Sequence, residues 1–285
     1  MTGSGFRHRV RLGTCSWSTR DWVGKVYSPT TKATDYIAEY ARRYSTVEID
    51  ATFYGVPRRA TIEGWRDRTP ETFFFSAKAP QTITHEKFMA GCERDVSEFL
   101  TAMQILGPRL GPIVLQFPYY ARSKNVTQGE FLKRLTPFLK TLPREDHKFV
   151  VEVRNKSWLD RRLFEVLQGH GVTLALIDHP WMHSSAQLLK LEGILTGPFA
   201  YIRWLGDRYG IEKLTKTWGE HVIDRRADIE SWVPAIKQIL DKQIPVWGYF
   251  NSHYSGFAPG DVDVLSELLG LTGATAASLA GGASP

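Results

Sequence analysis

Cysteine is scarce in this chain: Cys15 and Cys92 are the only two in 285 residues. Two thiols so far apart build neither a disulfide framework nor a cysteine zinc cluster, so a reducing compartment, the cytoplasm, is expected. Long apolar runs are missing too. None approaches the roughly 18 residues of a membrane-spanning helix, and the basic opening MTGSGFRHRVRLG lacks the apolar core of a signal peptide; no membrane partner is expected. Neither glycine-rich phosphate motif, G-x-G-x-x-G or G-x-x-x-x-G-K-[ST], occurs, which weakens a dinucleotide fold or a phosphate-loop enzyme. Charge of one sign is in small excess, with 36 Lys+Arg against 30 Asp+Glu for a formal +6. That balance permits an anionic partner without requiring one. With 42% hydrophobic and 23% charged residues, the chain has a full-sized core and is neither collagenous, fibrous nor wholly disordered.

What the sequence does contain is an alternation of short apolar runs with segments of helical spacing. Strands are predicted at Val10–Ser16, Thr46–Ile49, Phe73–Ala79, Ile113–Phe117, Phe149–Val153, Val172–Ile177, Phe199–Trp204 and Pro245–Phe250. Helices are predicted at Lys32–Tyr44, Thr61–Arg68, Glu93–Leu106, Gln128–Leu139, Arg161–His170, Asp228–Asp241 and Asp261–Leu269, leaving the sixth connection, near Asp178–Phe199, irregular. Runs such as IVLQF, FVVEV and TLALI are nearly all apolar, as in parallel strands covered on both faces. Eight such units suit an α/β fold, a single (β/α)8 TIM-type barrel; an open doubly wound sheet is the competitor. The expected organisation is a flexible N-terminus over 1–9, one barrel domain over 10–270 and a flexible tail over 271–285.

Side chains at the carboxyl ends of barrel strands converge on one face, where such enzymes place their sites. That filter selects Trp17, Glu48, Asp50, Tyr54, Lys78, Gln116, Glu152, Arg154, Asp178, Arg203, Trp204 and Asn251, with His85 in the loop after the third strand. Glu48, Glu152 and Arg203 interrupt apolar runs, and a buried charge is costly unless paired or used. Glu48 and Glu152 are therefore the catalytic candidates, Glu152 as general acid or base and Glu48 as its partner. The bland alternative is an internal ion network that supports the barrel. Lys78, Arg154 and Arg203 would bind charge, and Gln116 and Asn251 would orient a ligand.

A divalent metal has donors available in His85, His179, His183, His253, Glu48, Glu152 and Asp178, but no motif specifies one, so no metal ligands are assigned and the cofactor is left open. His179 and His183 are four apart, yet Asp178-His179-Pro180-Trp181 reads as a turn, which makes them loop hydrogen-bonders. Six tryptophans, Trp17, Trp22, Trp158, Trp181, Trp204 and Trp218, fall at strand ends or just after them. Such rings either cap the barrel mouth or stack on a ligand, and Trp17 and Trp204 are the better ligand candidates. Cys15 lies at a strand end, where a small buried residue is a simpler reading than a nucleophile.

At these residues the sequence resembles the domain of unknown function 72, or YecE-like, family. The resemblance runs from about Arg11 to Leu269 and rests on Gly13-Thr14-Cys15-Ser16-Trp17 with Trp22-x-Gly24-x-x-Tyr27, on Val47-Glu48-Ile49-Asp50-Ala51-Thr52-Phe53-Tyr54, on Lys78-Ala79-Pro80 with Ile83-Thr84-His85, and on Gln116-Phe117-Pro118. Val151-Glu152-Val153-Arg154-Asn155-x-Ser157-Trp158, Tyr201-Ile202-Arg203-Trp204-Leu205-Gly206 and Tyr249-Phe250-Asn251 complete it. It implies a TIM-type barrel with a polar cluster in the cavity, similar in architecture to metal-dependent barrels such as endonuclease IV and sugar isomerases. The chain departs from the family pattern at Asp50, where Asn is usual, at Leu205, where a His commonly follows the strand-seven Arg, and at Ser252, where a second Asn or other polar residue often lies.

The expected function is an enzyme acting on a polar or anionic small molecule, or a nucleotide-like substrate, in a Glu/Lys/Arg-lined pocket at the C-terminal face. Hydrolysis and isomerase or lyase chemistry are the reaction classes in view. The alternatives are a nucleic-acid-binding protein with metal-assisted phosphoester cleavage, and a non-catalytic small-molecule sensor. Nothing in the sequence specifies an oligomeric state.

Overall fold

The computed structural model describes residues 7–121, 123 and 126–271. Of the ends expected to be flexible, residues 1–6 and 272–285 lie outside the described residues, and Arg7–Arg9 form a 3₁₀ turn leading into the first strand. The strands are β1 Val10–Thr14, β2 Thr46–Ile49, β3 Phe74–Lys78, β4 Leu110–Gln116, β5 Phe149–Glu152, β6 Thr173–Asp178, β7 Ala200–Trp204 and β8 Val246–Phe250. All are parallel and follow the order β1-β8-β7-β6-β5-β4-β3-β2 in one eight-stranded sheet. The result is a nearly closed α/β barrel.

Helices α1 Tyr36–Arg43, α2 Arg59–Asp67, α3 Glu93–Met103, α4 Gln128–Thr141, α5 Arg161–Gly169, α6 Ser185–Leu188, α7 Arg208–Leu214, α8 Arg226–Asp241 and α9 Ala258–Leu268 surround it. Capping sets several starts. The Thr127 hydroxyl accepts from Glu130 N at 3.2 Å and the Asp160 carboxylate from Leu163 N at 3.3 Å, so α4 and α5 begin there. Apolar side chains at helical spacing, such as Leu163, Phe164 and Leu167 on α5 or Ile229, Trp232, Ile236 and Ile239 on α8, are buried against the strands; each such side chain stabilises by roughly 1.5–3 kcal/mol. The sixth connection is irregular, as its sequence suggested, and holds only the four-residue α6. Helix α7 was not foreseen, because seven residues with one buried side chain, Ile211, leave little periodic signal. Strand β4 starts at Leu110, earlier than the expected Ile113, since Gly111-Pro112 stays extended.

The β1/β2 seam closes by a different device from the other strand pairs. No backbone ladder joins these two strands; instead the Tyr40 hydroxyl, from α1, accepts from Thr14 N at 2.9 Å and donates to Thr46 O at 3.2 Å. Gly13 sits at this crossing, where an added Cβ would stand 2.1 Å from Thr46 O. Only glycine lets the strands approach so closely.

Candidate functional site

Alternating residues of each strand face the barrel interior, and here polar side chains stack along it. Thr46 Oγ1 and the Tyr249 hydroxyl are 2.8 Å apart, and Ser76 Oγ lies 2.7 Å from the Tyr201 hydroxyl and bonds Pro112 O at 2.6 Å. Tyr201 donates to Glu48 Oε2 at 2.6 Å, which brings β7 and β2 together across the barrel. Above this layer, Arg203 donates from Nη2 to Glu48 Oε1 at 2.6 Å and from Nη1 to Glu152 Oε2 at 2.5 Å. The remaining Glu152 oxygen, Oε1, accepts from Arg154 Nε at 2.6 Å. Asp50 Oδ1 lies 3.7 Å from Arg203 Nη2 and 3.5 Å from Lys78 Nζ, with no hydrogen bond of its own. Three carboxylates and three cations thus balance at the C-terminal end of the barrel, with Glu48 and Glu152 fully buried and Arg203 only 2% exposed.

Burial on its own would raise the Glu152 carboxyl, but the Arg154 and Arg203 guanidinium groups outweigh it and bring it down to about 2. Burial would weaken the Arg203 cation, yet Glu152 and Glu48 hold its pKa well above the ordinary value. Glu152 is therefore an ionised counter-ion with both oxygens occupied. A proton carrier needs a free oxygen and a pKa near the working pH, so the geometry gives Glu152 a different part from the acid or base expected of it. Burial, then Glu48, pushes the Cys15 thiol far up, although Arg203 Nη2 lies 3.8 Å from its Sγ; this is the inert buried cysteine that its position suggested.

The groups facing outward at the mouth differ. Lys78 Nζ stands 3.8 Å over the Phe53 ring. The Tyr54 ring packs on Phe53 and is itself exposed, and the His85 ring contacts the Phe53 ring at 4.9 Å while its Nδ1 pairs with Thr84 Oγ1. Gln116, in register with Glu152, donates to Phe117 O. Asn251 Oδ1 accepts from His253 N at 2.9 Å and faces His253 Nδ1. Arg154 Nη1 and Nη2 have no partner among the described residues. That side chain helps to line a cleft of about 1090 Å³ with Tyr119, Asn155, Lys156, Trp181 and His183, and no carboxylate stands among its lining residues. Beside it, Trp181 N donates to His179 Nδ1 at 3.2 Å, and burial, then Arg154, lowers the imidazole pKa. His179 is the loop hydrogen-bonder anticipated from its turn.

Three of the expected ligand contacts are not brought to this cluster. Trp17 packs edge-on against Trp65 and Phe75, and Trp204 stacks on Phe250 and against Trp232, between strands and helices. Asp178 Oδ2 accepts from Trp232 Nε1 at 2.6 Å and from the Tyr254 hydroxyl at 3.2 Å, so it faces α8. The reason is the two-residue period: Arg203 faces inward, Trp204 must face out, and Asp178, in register with Trp204, follows it. Tyr201, which completes the Glu48 side of the clamp, went unselected. Its spacing of two from Arg203 was the signal that could have found it. Tyr119 also escaped notice, because an aromatic in a loop carries no periodicity. Among the described residues, no three His, Cys, Asp or Glu side chains converge as a metal ligand set; the space between Glu48 and Glu152 is filled by the Arg203 guanidinium.

The family model described as "Protein of unknown function DUF72" matches residues 11–283. The chain belongs to the DUF72 family. Among DUF72 relatives it is 30% identical over 215 residues to UPF0759 protein YecE of Escherichia coli strain K12, covering 69% of this chain and 74% of that protein. It is 23% identical over 278 residues to UPF0759 protein YunF of Bacillus subtilis strain 168, covering 91% of this chain and 94% of that protein. The crystal structure of a DUF72 family protein from Thermotoga maritima superposes with a TM-score of 0.72 at 23% identity, over 92% of this chain and 100% of that one. At that identity the likeness speaks to the DUF72 fold alone. No helix among the described residues is long and apolar enough to cross a membrane.

Proposed function

We propose that this DUF72 chain is an enzyme acting on a small anionic molecule held at the C-terminal mouth of the barrel. One observation carries the reading: Glu152 pins Arg154 through Nε, while the two terminal nitrogens of its fork are left unpaired toward a cleft without carboxylates. A guanidinium held along one edge and open on the other is pre-organised for two parallel hydrogen bonds to a carboxylate or phosphate. Lys156, which lines the same cleft, adds a second cation, while Lys78 sits near enough to help depress Glu152 and pairs with Asp50 at 3.5 Å. In this reading Glu48, Glu152 and Arg203 are positioning residues that fix Arg154, and Asp50 tethers Lys78. His179 supplies a hydrogen-bond donor beside Arg154: its Nδ1 is occupied by the Trp181 amide, so the neutral ring carries its proton on Nε2.

Calorimetric titration with inorganic phosphate, phosphate monoesters and small carboxylates at low ionic strength tests the binding step. Arg154→Gln should weaken whatever binds by about tenfold or more, as loss of a charge-assisted hydrogen bond does, with the far-ultraviolet circular dichroism unchanged. Failure of the intact protein to bind any of these anions would sink the proposal. Conversion of a bound phosphate monoester or carboxylate, followed by NMR and slowed in His179→Gln, tests the enzyme reading; binding without turnover would assign the cleft to a sensor instead.

A further inference from the structure

The cleft that Arg154 opens into has a second half, lined by rings. Its wall is a stacked pair, Tyr120 on Trp158, with centroids 5.5 Å apart and planes 18° from parallel. Asn155 locks that wall by accepting from Tyr120 N and donating to Tyr120 O, each at 2.9 Å. In front stand Tyr119 and Trp181, 53% and 63% exposed, with ring centroids 6.5 Å apart and planes 59° from parallel. Large rings left in water on a concave surface are a recognition feature more than a packing one. The Trp181 ring also touches His179, at 5.1 Å between centroids, which ties this half of the cleft to the anion site.

From this arrangement we infer that the anionic substrate is a nucleotide, its base taken between Tyr119 and Trp181 and its phosphate on Arg154, with Lys156 alongside. The inference rests on the anion-site reading above. A flat ring stacked between two others needs about 7 Å between them, two contacts of about 3.5 Å each. The Tyr119–Trp181 separation is close to that value, and both side chains are exposed enough to turn parallel. A puckered sugar ring carries axial hydrogens on both faces and needs a wider gap, so the spacing selects a planar base. Two cations and no carboxylate among the lining residues match one phosphate group. The occupant is a free mononucleotide, since the gap accepts a single base.

Calorimetry on the full chain with adenosine 5′-monophosphate, ribose 5-phosphate and inorganic phosphate separates the two readings. Adenosine 5′-monophosphate should bind about tenfold or more tighter than ribose 5-phosphate, the range expected for one stacked base. Trp181→Ala and Tyr119→Ala should erase that advantage while leaving ribose 5-phosphate binding unchanged; both side chains are more than half exposed, so folding is not at risk. Equal binding of the nucleotide and ribose 5-phosphate, indifferent to Trp181→Ala, would overturn the nucleotide inference and leave the anion site standing. No binding of any of the three would defeat both. A single-stranded oligonucleotide that binds far tighter than the mononucleotide would also overturn it, pointing to a polymer substrate.

Discussion

Replacing Arg203 with methionine keeps the length and most of the apolar stem while deleting the one cation that touches both buried glutamates. In the intact protein its two terminal nitrogens sit 2.6 Å from Glu48 Oε1 and 2.5 Å from Glu152 Oε2, and neither carboxylate meets solvent. Without it, Glu152 keeps Arg154, but Glu48 keeps the hydrogen bond from the Tyr201 hydroxyl and no paired cation. Removing one partner from a buried ion pair costs roughly 3–5 kcal/mol, because a desolvated charge is left uncompensated. Against a typical total stability of about 5–15 kcal/mol, the variant should still fold, with a clearly lowered urea midpoint at neutral pH followed by tryptophan fluorescence. The diagnostic step is a second change. In Arg203→Met, adding Glu48→Gln removes the stranded charge and should recover a substantial part of the loss, although Glu48→Gln alone destabilises. Costs that simply add, or a loss below about 1 kcal/mol for Arg203→Met, would refute the clamp as the frame of the barrel mouth.

The Glu152 carboxyl, at about 2 in the folded chain against an ordinary 4.5, contributes stability that is present above the unfolded value and lost as pH falls from about 4.5 toward 2. That difference is worth about 3 kcal/mol at 1.36 kcal/mol per pH unit, so acid unfolding of Glu152→Gln should lose this part of the pH dependence; an unchanged acid profile would contradict the assignment. At the β1/β2 seam, Gly13→Ala should abolish folding or cost more than about 3 kcal/mol, since its Cβ would press into the Thr46 carbonyl. Tyr40→Phe, which removes the hydroxyl shared by the Thr14 amide, the Thr14 hydroxyl and the Thr46 carbonyl, should cost about 1–3 kcal/mol in a denaturant titration, and a neutral result there would mean the seam closes without the hydroxyl. Cys15 should resist alkylation by iodoacetamide at pH 8 until the chain unfolds, because burial and Glu48 keep it a thiol; rapid native labelling would show an open cavity.

Much of this molecule was already determined by its linear order of residues. Strands buried on both faces must be apolar almost throughout, so eight such runs separated by helical spacing left the parallel barrel with one weak competitor. The same logic exposed Glu48, Glu152 and Arg203, since a charge inside an apolar run has to be paired. Tertiary structure decided what those charges do. Whether a carboxylate is a proton carrier or a counter-ion depends on which of its oxygens are occupied, and β2, β5 and β7 meet only when the barrel closes; there Arg203 and Arg154 consume both oxygens of Glu152. Closure also set Trp204 and Asp178 against α8 and left the Arg154 fork open to the cleft. Sequence records which residues are costly to bury, while Arg203 draws its hydrogen-bond partners Glu152 and Glu48 from 51 and 155 residues away, a pairing that only the folded geometry can select.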